Sequence, residues 1–276
     1  MRKIVWSVII VVGVIAFFQL KNFMSPSYTE MSLDDALVHY IERFDDDYLS
    51  QPEKDELKSL VDDSLFVGLE HGGSRLHWST PDEYGVYLDM SLFDTDSKTP
   101  SAATESLANN PDNYMLILTL IHENQHRKDL EVMGVSLLSK HKEETVQSFT
   151  VATLLEYFGY KKEFEVLSRW HERNGLPMPQ CKIYDGDAWL NVNSEEVTAD
   201  KYGFGMAMHY FFNGMAPKAD EFLPDTRNAK LAFRYAVKQA VLSEVHRSTG
   251  TDKNYGAGLL GGMLDCSSDT RLWGNS

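Results

Sequence analysis

The feature that most constrains the fold is an apolar stretch that ends in a cluster of polar side chains. Residues 114–121 read YMLILTLI, and residues 122–126 read HENQH. The pattern predicts one helix from Pro111 to about Met133, because proline suits a first helical turn and a glycine, here Gly134, follows a helix end. Its apolar residues cover nearly the whole circumference, so other elements must pack around it. The helix is therefore predicted to be buried.

The two histidines of this helix, His122 and His126, stand four residues apart. That spacing places both imidazoles on one face, one turn apart, as two ligands of a single zinc ion require. Glu123 lies about 100° further round the helix, where its carboxylate can take a proton from a water molecule at the metal. Buried imidazoles and carboxylates need partners, which favours a metal. The alternative is that hydrogen bonds satisfy all three residues within an ordinary core.

This segment resembles the active-site helix of the zincin metallopeptidases, which carries the motif HExxH. The segment GVYLDM at residues 85–90 precedes it and is similar to the edge strand along which zincin substrates lie. The resemblance covers about residues 75–160. It implies a Zn²⁺ cofactor, a peptide or protein substrate, and hydrolysis in which Glu123 activates water.

A zincin site needs a third ligand, and the patterns of its branches separate the options. The metzincin pattern has a glycine three residues after the second histidine and a histidine or aspartate six after it, but Asp129 and Val132 stand there. The gluzincin-like pattern takes a glutamate from the next helix, in the setting Glu-x-x-Ala. Glu143 fits this setting with Val146 in place of alanine, and the adjacent Glu144 is the main alternative. The remaining candidates are Glu156, His141 and His209.

Several residues are candidates for supporting roles. Asp129 lies one turn beyond His126. It can orient an imidazole by accepting a hydrogen bond from the ring nitrogen that does not bind the metal, or it can be an exposed surface acid. His209 and Tyr210 lie in the helical segment MAMHYFF. They are candidates for stabilising an oxyanion, a role that zincins often give to a distant tyrosine or histidine. The aromatic pattern there also fits an ordinary core helix.

The N-terminal region contains an uncharged apolar run at residues 4–20, flanked by Arg2, Lys3 and Lys21. Its length is at the short end of what spans a bilayer. No pair of small residues that would mark a signal-peptide cleavage site appears before Pro26. The run is therefore predicted to be an uncleaved transmembrane helix, with a cleaved signal peptide as the alternative.

The domain organisation follows from this segment. The sequence predicts a membrane anchor at 1–24, a linker at 25–31 and a catalytic body at 32–276. Positive charges are more numerous before the apolar run than after it, which places the N terminus in the cytoplasm. The body is then expected on the periplasmic or extracellular side of a single-pass membrane protein.

The body is predicted to be an α+β fold that is predominantly helical, with the zincin-like helix next to a small β-sheet. Short strands are expected at 75–78 and 85–90, and the part from about 199 to 276 is expected to be helical. Gly159 is predicted to end a helix that begins near His141. Loops are predicted at 94–111 and 174–198, where Ser, Thr, Asn, Pro and Gly interrupt the periodicity.

Composition excludes several classes of protein. The 276 residues carry a formal net charge of -15, which argues against nucleic acid as a partner because phosphate binding needs a basic surface. The chain has two cysteines, Cys181 and Cys266, too few for a thiolate zinc site. They can form one disulfide bridge if the compartment is oxidising.

The sequence thus predicts a membrane-anchored zinc metallopeptidase. One alternative is a non-catalytic anchored protein whose metal site is structural or vestigial and whose acidic surface binds a partner. Another is a zinc hydrolase that acts on an amide other than a peptide bond. Glu123 favours an enzyme, because a structural site needs the histidines but has no use for that carboxylate.

Overall fold

A computed structural model of the chain describes residues 31–61, 66–70, 75–80, 83–93, 99–110, 113–133, 145–176, 182–184, 189–191, 198–249 and 263–265. The predicted anchor lies outside these ranges, as does the predicted linker apart from Met31. Among the helices in the described ranges, none combines the length and the apolarity that a membrane crossing requires.

Helices make up most of the described structure, which confirms the predominantly helical character. They are α1 Leu33–Arg43, α2 Gln51–Leu60, α3 Pro100–Asn109, α4 Tyr114–Met133, α5 Val146–Arg173, α6 Ala199–Tyr210, α7 Ala216–Ala219 and α8 Arg227–Thr249. A 3-10 helix covers Met90–Phe93, and a π-helical turn at Phe211–Met215 joins α6 to α7.

Two small sheets accompany the helices. Their strands are β1 Phe66–Glu70, β2 Arg75–Thr80, β3 Glu83–Asp89, β4 Lys182–Tyr184, β5 Trp189–Asn191 and β6 Met263–Asp265. In the first sheet β3 lies between β1, to which it is parallel, and β2, to which it is antiparallel. In the second sheet β4 lies between β5 and β6 and is antiparallel to both.

The position of β3 corrects one expectation. The segment at 85–90 was expected to be an edge strand open to a substrate, but β3 is hydrogen-bonded on both sides, so that prediction is wrong. β2 is an outer strand of this sheet in the described structure, and it contacts α4. Alternation of apolar and polar residues identifies a strand, but it does not show which strands will flank it.

Two loops predicted from composition also contain regular structure. The segment 94–111 includes α3, which Ala103 and Leu107 anchor through their buried side chains, four residues apart. The segment 174–198 includes β4 and β5, each of three residues and thus too short to produce a readable period. The start of α1 is capped by Ser32, whose side chain accepts a hydrogen bond from the Asp35 amide at 3.1 Å.

The helix α4 is buried, as its sequence predicts. Five apolar residues before the histidines are at most 4% exposed: Leu116, Ile117, Leu118, Leu120 and Ile121. α5 packs along α4, and α6 and α8 pack on α5. α4 and α5 therefore form the central pair of helices that positions the candidate site.

The prediction that Gly159 ends a helix is wrong, because α5 continues through it to Arg173. Glycine in a helix interior costs about 1 kcal/mol relative to alanine. Packing against neighbouring helices along both halves of α5 outweighs that local preference. The uninterrupted helix places Glu156, Gly159, Tyr160 and Glu163 on one face, since the last three lie three, four and seven residues after Glu156.

Candidate metal centre

The structure brings His122, His126 and Glu156 together as a group that could hold a metal ion. His122 Nε2 lies 3.4 Å from Glu156 Oε2, and His126 Nε2 lies 3.8 Å from Glu156 Oε1. The two imidazole rings are nearly perpendicular, at 84°, with centroids 4.5 Å apart. Both Nε2 atoms therefore approach the same carboxylate.

This geometry fits a zinc ion. Two ligand atoms at zinc-binding distance and a tetrahedral angle are about 3.4 Å apart. The spacings of 3.4 and 3.8 Å between the carboxylate and the two imidazoles are close to that value. Two imidazole nitrogens and one carboxylate oxygen are also the donor set of catalytic zinc sites that leave a fourth position open.

Gly159 explains how the two helices come close enough. A β-carbon at this position would lie 2.8 Å from Cε1 and Nε2 of His122 and 3.0 Å from its Nδ1. Any larger residue would push against the ring from α5, one turn beyond Glu156. The sequence contains a pattern that points to Glu156. Glu156-x-x-Gly159 matches the setting of a glutamate followed by a small residue better than Glu143-x-x-Val146 does. The prediction that Gly159 ends a helix hides this pattern.

The ring of His122 also contacts Glu163 and Tyr160, two residues of α5. Its Nδ1 lies 3.3 Å from Oε2 of Glu163, which is buried at 6% exposure. When Nδ1 carries the proton and donates it to this carboxylate, the Nε2 lone pair is left for a metal. The Tyr160 ring also packs edge-on against His122, with centroids 4.5 Å apart. Nδ1 of His126 is buried with no hydrogen-bond partner in the described part of the chain.

The electrostatics of the group favour a cation. For His122 burial lowers the pKa, but hydrogen bonds to Glu156 and Glu163 and the charges of Glu156 and Glu123 outweigh it, so the pKa is raised well above the usual value. Burial and the neighbouring charge of His122 lower the pKa of His126 to about 4. Burial raises the pKa of the Glu156 carboxyl, but the hydrogen bond from His122 and the charges of both histidines outweigh it, and the pKa is lowered. A proton on His122 and a metal ion are thus competing ways to neutralise Glu156.

Glu123 lies next to this group but is not a member of it. Its side chain is 4% exposed, and its charge acts on His122 and on the hydroxyls of Tyr160 and Tyr210. It is not one of the three residues whose ligand atoms converge. A carboxylate in this position can take a proton from water without coordinating the ion.

The structure covers the other predicted ligands and the predicted supporting residue Asp129 only in part. Glu143, Glu144 and His141 lie outside the described residues, so their roles as ligands stay predictions. Asp129 Oδ1 accepts a hydrogen bond from Gln125 at 2.7 Å, and burial raises the Asp129 pKa to about 6. The carboxylate at His122 Nδ1 is that of Glu163, a residue that the sequence analysis did not single out.

The two oxyanion candidates of α6 differ in position. Nδ1 of His209 lies 3.2 Å from the side-chain nitrogen of Asn213. His209 is not part of the metal-binding group found among the described residues. Tyr210 is 42% exposed and lies close enough to Glu156 and Glu123 for their charges to act on its hydroxyl. Burial, followed by these charges, raises the Tyr210 pKa to about 12.

Comparison of the chain with protein-family models, with curated protein sequences and with solved structures finds no match.

The first prediction concerns the third ligand. Glu156→Ala removes the carboxylate that faces both imidazoles and should lower zinc affinity about 100-fold or more, because the remaining two histidines cannot hold zinc tightly. Glu143→Ala and Glu144→Ala are the matched variants from the sequence-based assignment and should stay within about threefold of the wild type. Competition titration against a zinc chelator measures all three. Loss of zinc in Glu143→Ala or Glu144→Ala, with Glu156→Ala unaffected, would contradict the geometric assignment.

The second prediction concerns Gly159. Gly159→Ala should lower zinc affinity about tenfold or more, since the new methyl group meets the His122 ring, although alanine favours the helix by about 1 kcal/mol. Gly214→Ala is the control, because a β-carbon there meets Tyr210 at an ordinary contact distance of 3.8 Å. It should leave zinc affinity unchanged. Equal affinities for the two variants and the wild type would show that the helix contact does not position His122.

Proposed function

We propose that this protein is a zinc-dependent hydrolase of peptide bonds, in which His122, His126 and Glu156 hold the metal and Glu123 is the general base. One observation carries the proposal: Glu123 is buried beside a convergent set of two imidazoles and a carboxylate without belonging to it. A structural zinc site has no use for such a carboxylate, whereas hydrolysis needs a proton acceptor next to the metal. The zincin resemblance of the HExxH segment supports the same proposal.

The chemistry divides between the ion and the chain. When bound, zinc supplies Lewis acidity, which lowers the pKa of water and polarises a carbonyl oxygen. Glu123 accepts the proton of the attacking water and can pass it to the leaving amine. Glu156 and the two imidazoles fix the position at which these steps occur, and Glu163 holds the His122 ring in the tautomer that such a position requires.

Tyr210 is the proposed oxyanion donor. Its pKa of about 12 keeps the hydroxyl protonated at neutral pH, so it can donate a hydrogen bond to the negative oxygen that develops on the substrate. Its partial exposure, next to Glu123 and Glu156, is compatible with contact with a substrate that enters from solvent. The π-helical turn begins at the following residue, and such turns are frequent at functional sites.

β2 supports a peptide as the substrate. It is hydrogen-bonded to β3 on one side, and among the described strands none pairs with its other side. An extended peptide can pair its backbone with such an edge, and β2 contacts the helix that carries His122 and Glu123. This arrangement favours a peptide or protein substrate over a small amide.

The membrane anchor remains part of the proposal. The apolar run at residues 4–20 and its flanking positive charges motivate a single-pass protein with a periplasmic or extracellular body. Substrates would then be peptides or proteins on that side of the membrane. Zinc binding and hydrolysis by the body do not depend on this topology.

The third prediction tests the reaction. Glu123→Gln should retain zinc within about threefold and lose peptide hydrolysis by a factor of about 100 to 10,000, because the amide cannot accept the proton of water. Hydrolysis is measured on a mixed fluorogenic peptide library, with zinc content determined on the same samples. Glu131→Gln makes the same exchange at an exposed position of the same helix and is the control, which should keep most activity. Undiminished hydrolysis in Glu123→Gln would refute the role of Glu123.

A further inference from the structure

The imidazole ring of His122 is enclosed by α5 and by the second histidine of α4. Its centroid lies 4.5 Å from that of the Tyr160 ring, with the two planes 71° apart. The ring of His126 lies at the same centroid distance and at 84°. A β-carbon on Gly159 would come within 3.0 Å of three atoms of the His122 ring. The His122 ring is therefore in contact with the backbone of one helix and with two other rings.

Tyr160 stands on α5 between the two carboxylates that approach this ring. It follows Glu156 by four residues and precedes Glu163 by three, so the three side chains lie on one face of the helix. Glu156 Oε2 lies 3.4 Å from Nε2 of His122, and Glu163 Oε2 lies 3.3 Å from Nδ1. Each ring nitrogen thus has its own carboxylate, and the Tyr160 ring packs against the imidazole itself.

The two carboxylates leave the tilt of the His122 ring weakly controlled. The last torsion of a histidine side chain has a broad energy well, so contacts at the two nitrogens alone let the ring rock. A large ring packed beside the imidazole restricts that rocking through van der Waals contact. Tight zinc binding requires the Nε2 lone pair to point at the ion, and a ring that rocks holds this direction for less of the time.

We propose that Tyr160 is a positioning residue for the metal centre: its aromatic ring holds the imidazole of His122 in the orientation that directs Nε2 at the ion. This inference rests on the proposed metal-dependent function. It assigns the effect to the ring of Tyr160 and not to its hydroxyl, because the ring makes the contact with His122. Residues that orient a metal-binding histidine typically change metal affinity by about 10–100-fold when removed.

Variants of Tyr160 in the full chain separate the ring from the hydroxyl. Tyr160→Phe keeps the ring and should bind zinc within about threefold of the wild type. Tyr160→Leu and Tyr160→Met keep apolar volume without the ring, and both should lower zinc affinity about tenfold. Competition titration against a zinc chelator measures the affinities. The absorption bands of bound Co²⁺ should shift in the Leu and Met variants and stay in place in Tyr160→Phe.

Phe149→Leu is the matched control for the loss of an aromatic ring from α5. Phe149 and Tyr160 are both partly buried and packed against the hydrophobic core. The Phe149 ring packs against three other rings, with centroids 5.3–6.3 Å away: Phe211, Phe222 and Phe233. Phe149→Leu should therefore lower the free energy of unfolding about as much as Tyr160→Leu, while zinc affinity stays within about twofold of the wild type.

Three results would overturn the role of the Tyr160 ring. Wild-type zinc affinity in Tyr160→Leu and Tyr160→Met would show that the ring does not position His122. Equal losses in Tyr160→Leu and Phe149→Leu would assign the effect to a general loosening of α5, and equal losses in Tyr160→Phe and Tyr160→Leu would assign it to the hydroxyl. By contrast, the expected affinity pattern in a protein that hydrolyses no peptide would support the role of Tyr160 and refute the proposed hydrolysis.

Discussion

The close approach of α4 and α5 at Gly159 is the contact on which the site depends. Without a side chain at this position, the ring of His122 lies directly against the backbone of α5. Glu156, one turn earlier on α5, then faces both imidazoles of α4, and Glu163, one turn later, reaches the back of His122. A single glycine thus allows one helix to supply both the carboxylate that faces the two imidazoles and the carboxylate that contacts Nδ1 of His122.

Burial gives this arrangement its chemical character. Carboxylates and imidazoles are costly to remove from water unless they are paired or coordinate a metal. His122, His126 and Glu123 are each at most 8% exposed, and the buried apolar residues of α4 directly precede them in the helix. A divalent cation would satisfy two imidazoles and a carboxylate at once, with the carboxylate of Glu123 beside it. In the function proposed above, such an ion would supply the Lewis acid and Glu123 the base.

The sequence predicted the parts of the site that are local to one helix. The spacing of His122 and His126 and the burial of α4 follow from helical periodicity and the apolar run before the histidines. The third ligand depends on a contact between two helices. Glycine has a low helix propensity, so the sequence predicts a helix end at Gly159. In the structure, tertiary packing overrides that preference and the helix continues. The position of β3 within its sheet is likewise a property of strand pairing that alternation along one strand cannot reveal.

The contact of Glu163 with His122 is equally beyond local patterns. Glu163 lies in a segment rich in lysine and glutamate, FGYKKEFE, whose composition is typical of a solvent-exposed helix surface. It is nevertheless buried, on a helix that packs against both α4 and α6. A pair 41 positions apart in the chain, such as His122 and Glu163, becomes visible once the packing of α4 on α5 is known.

X-ray absorption at the zinc edge of the purified, zinc-loaded protein tests the central claim most directly, because it reports the atoms bound to the metal. A site held by His122, His126 and Glu156 gives two imidazole rings and additional oxygen ligands at about 2.0–2.2 Å, whereas His126→Ala, left with two of the three ligands, retains too little zinc to give this spectrum. A spectrum with no imidazole scattering, with sulfur ligands, or with no change in His126→Ala would contradict it.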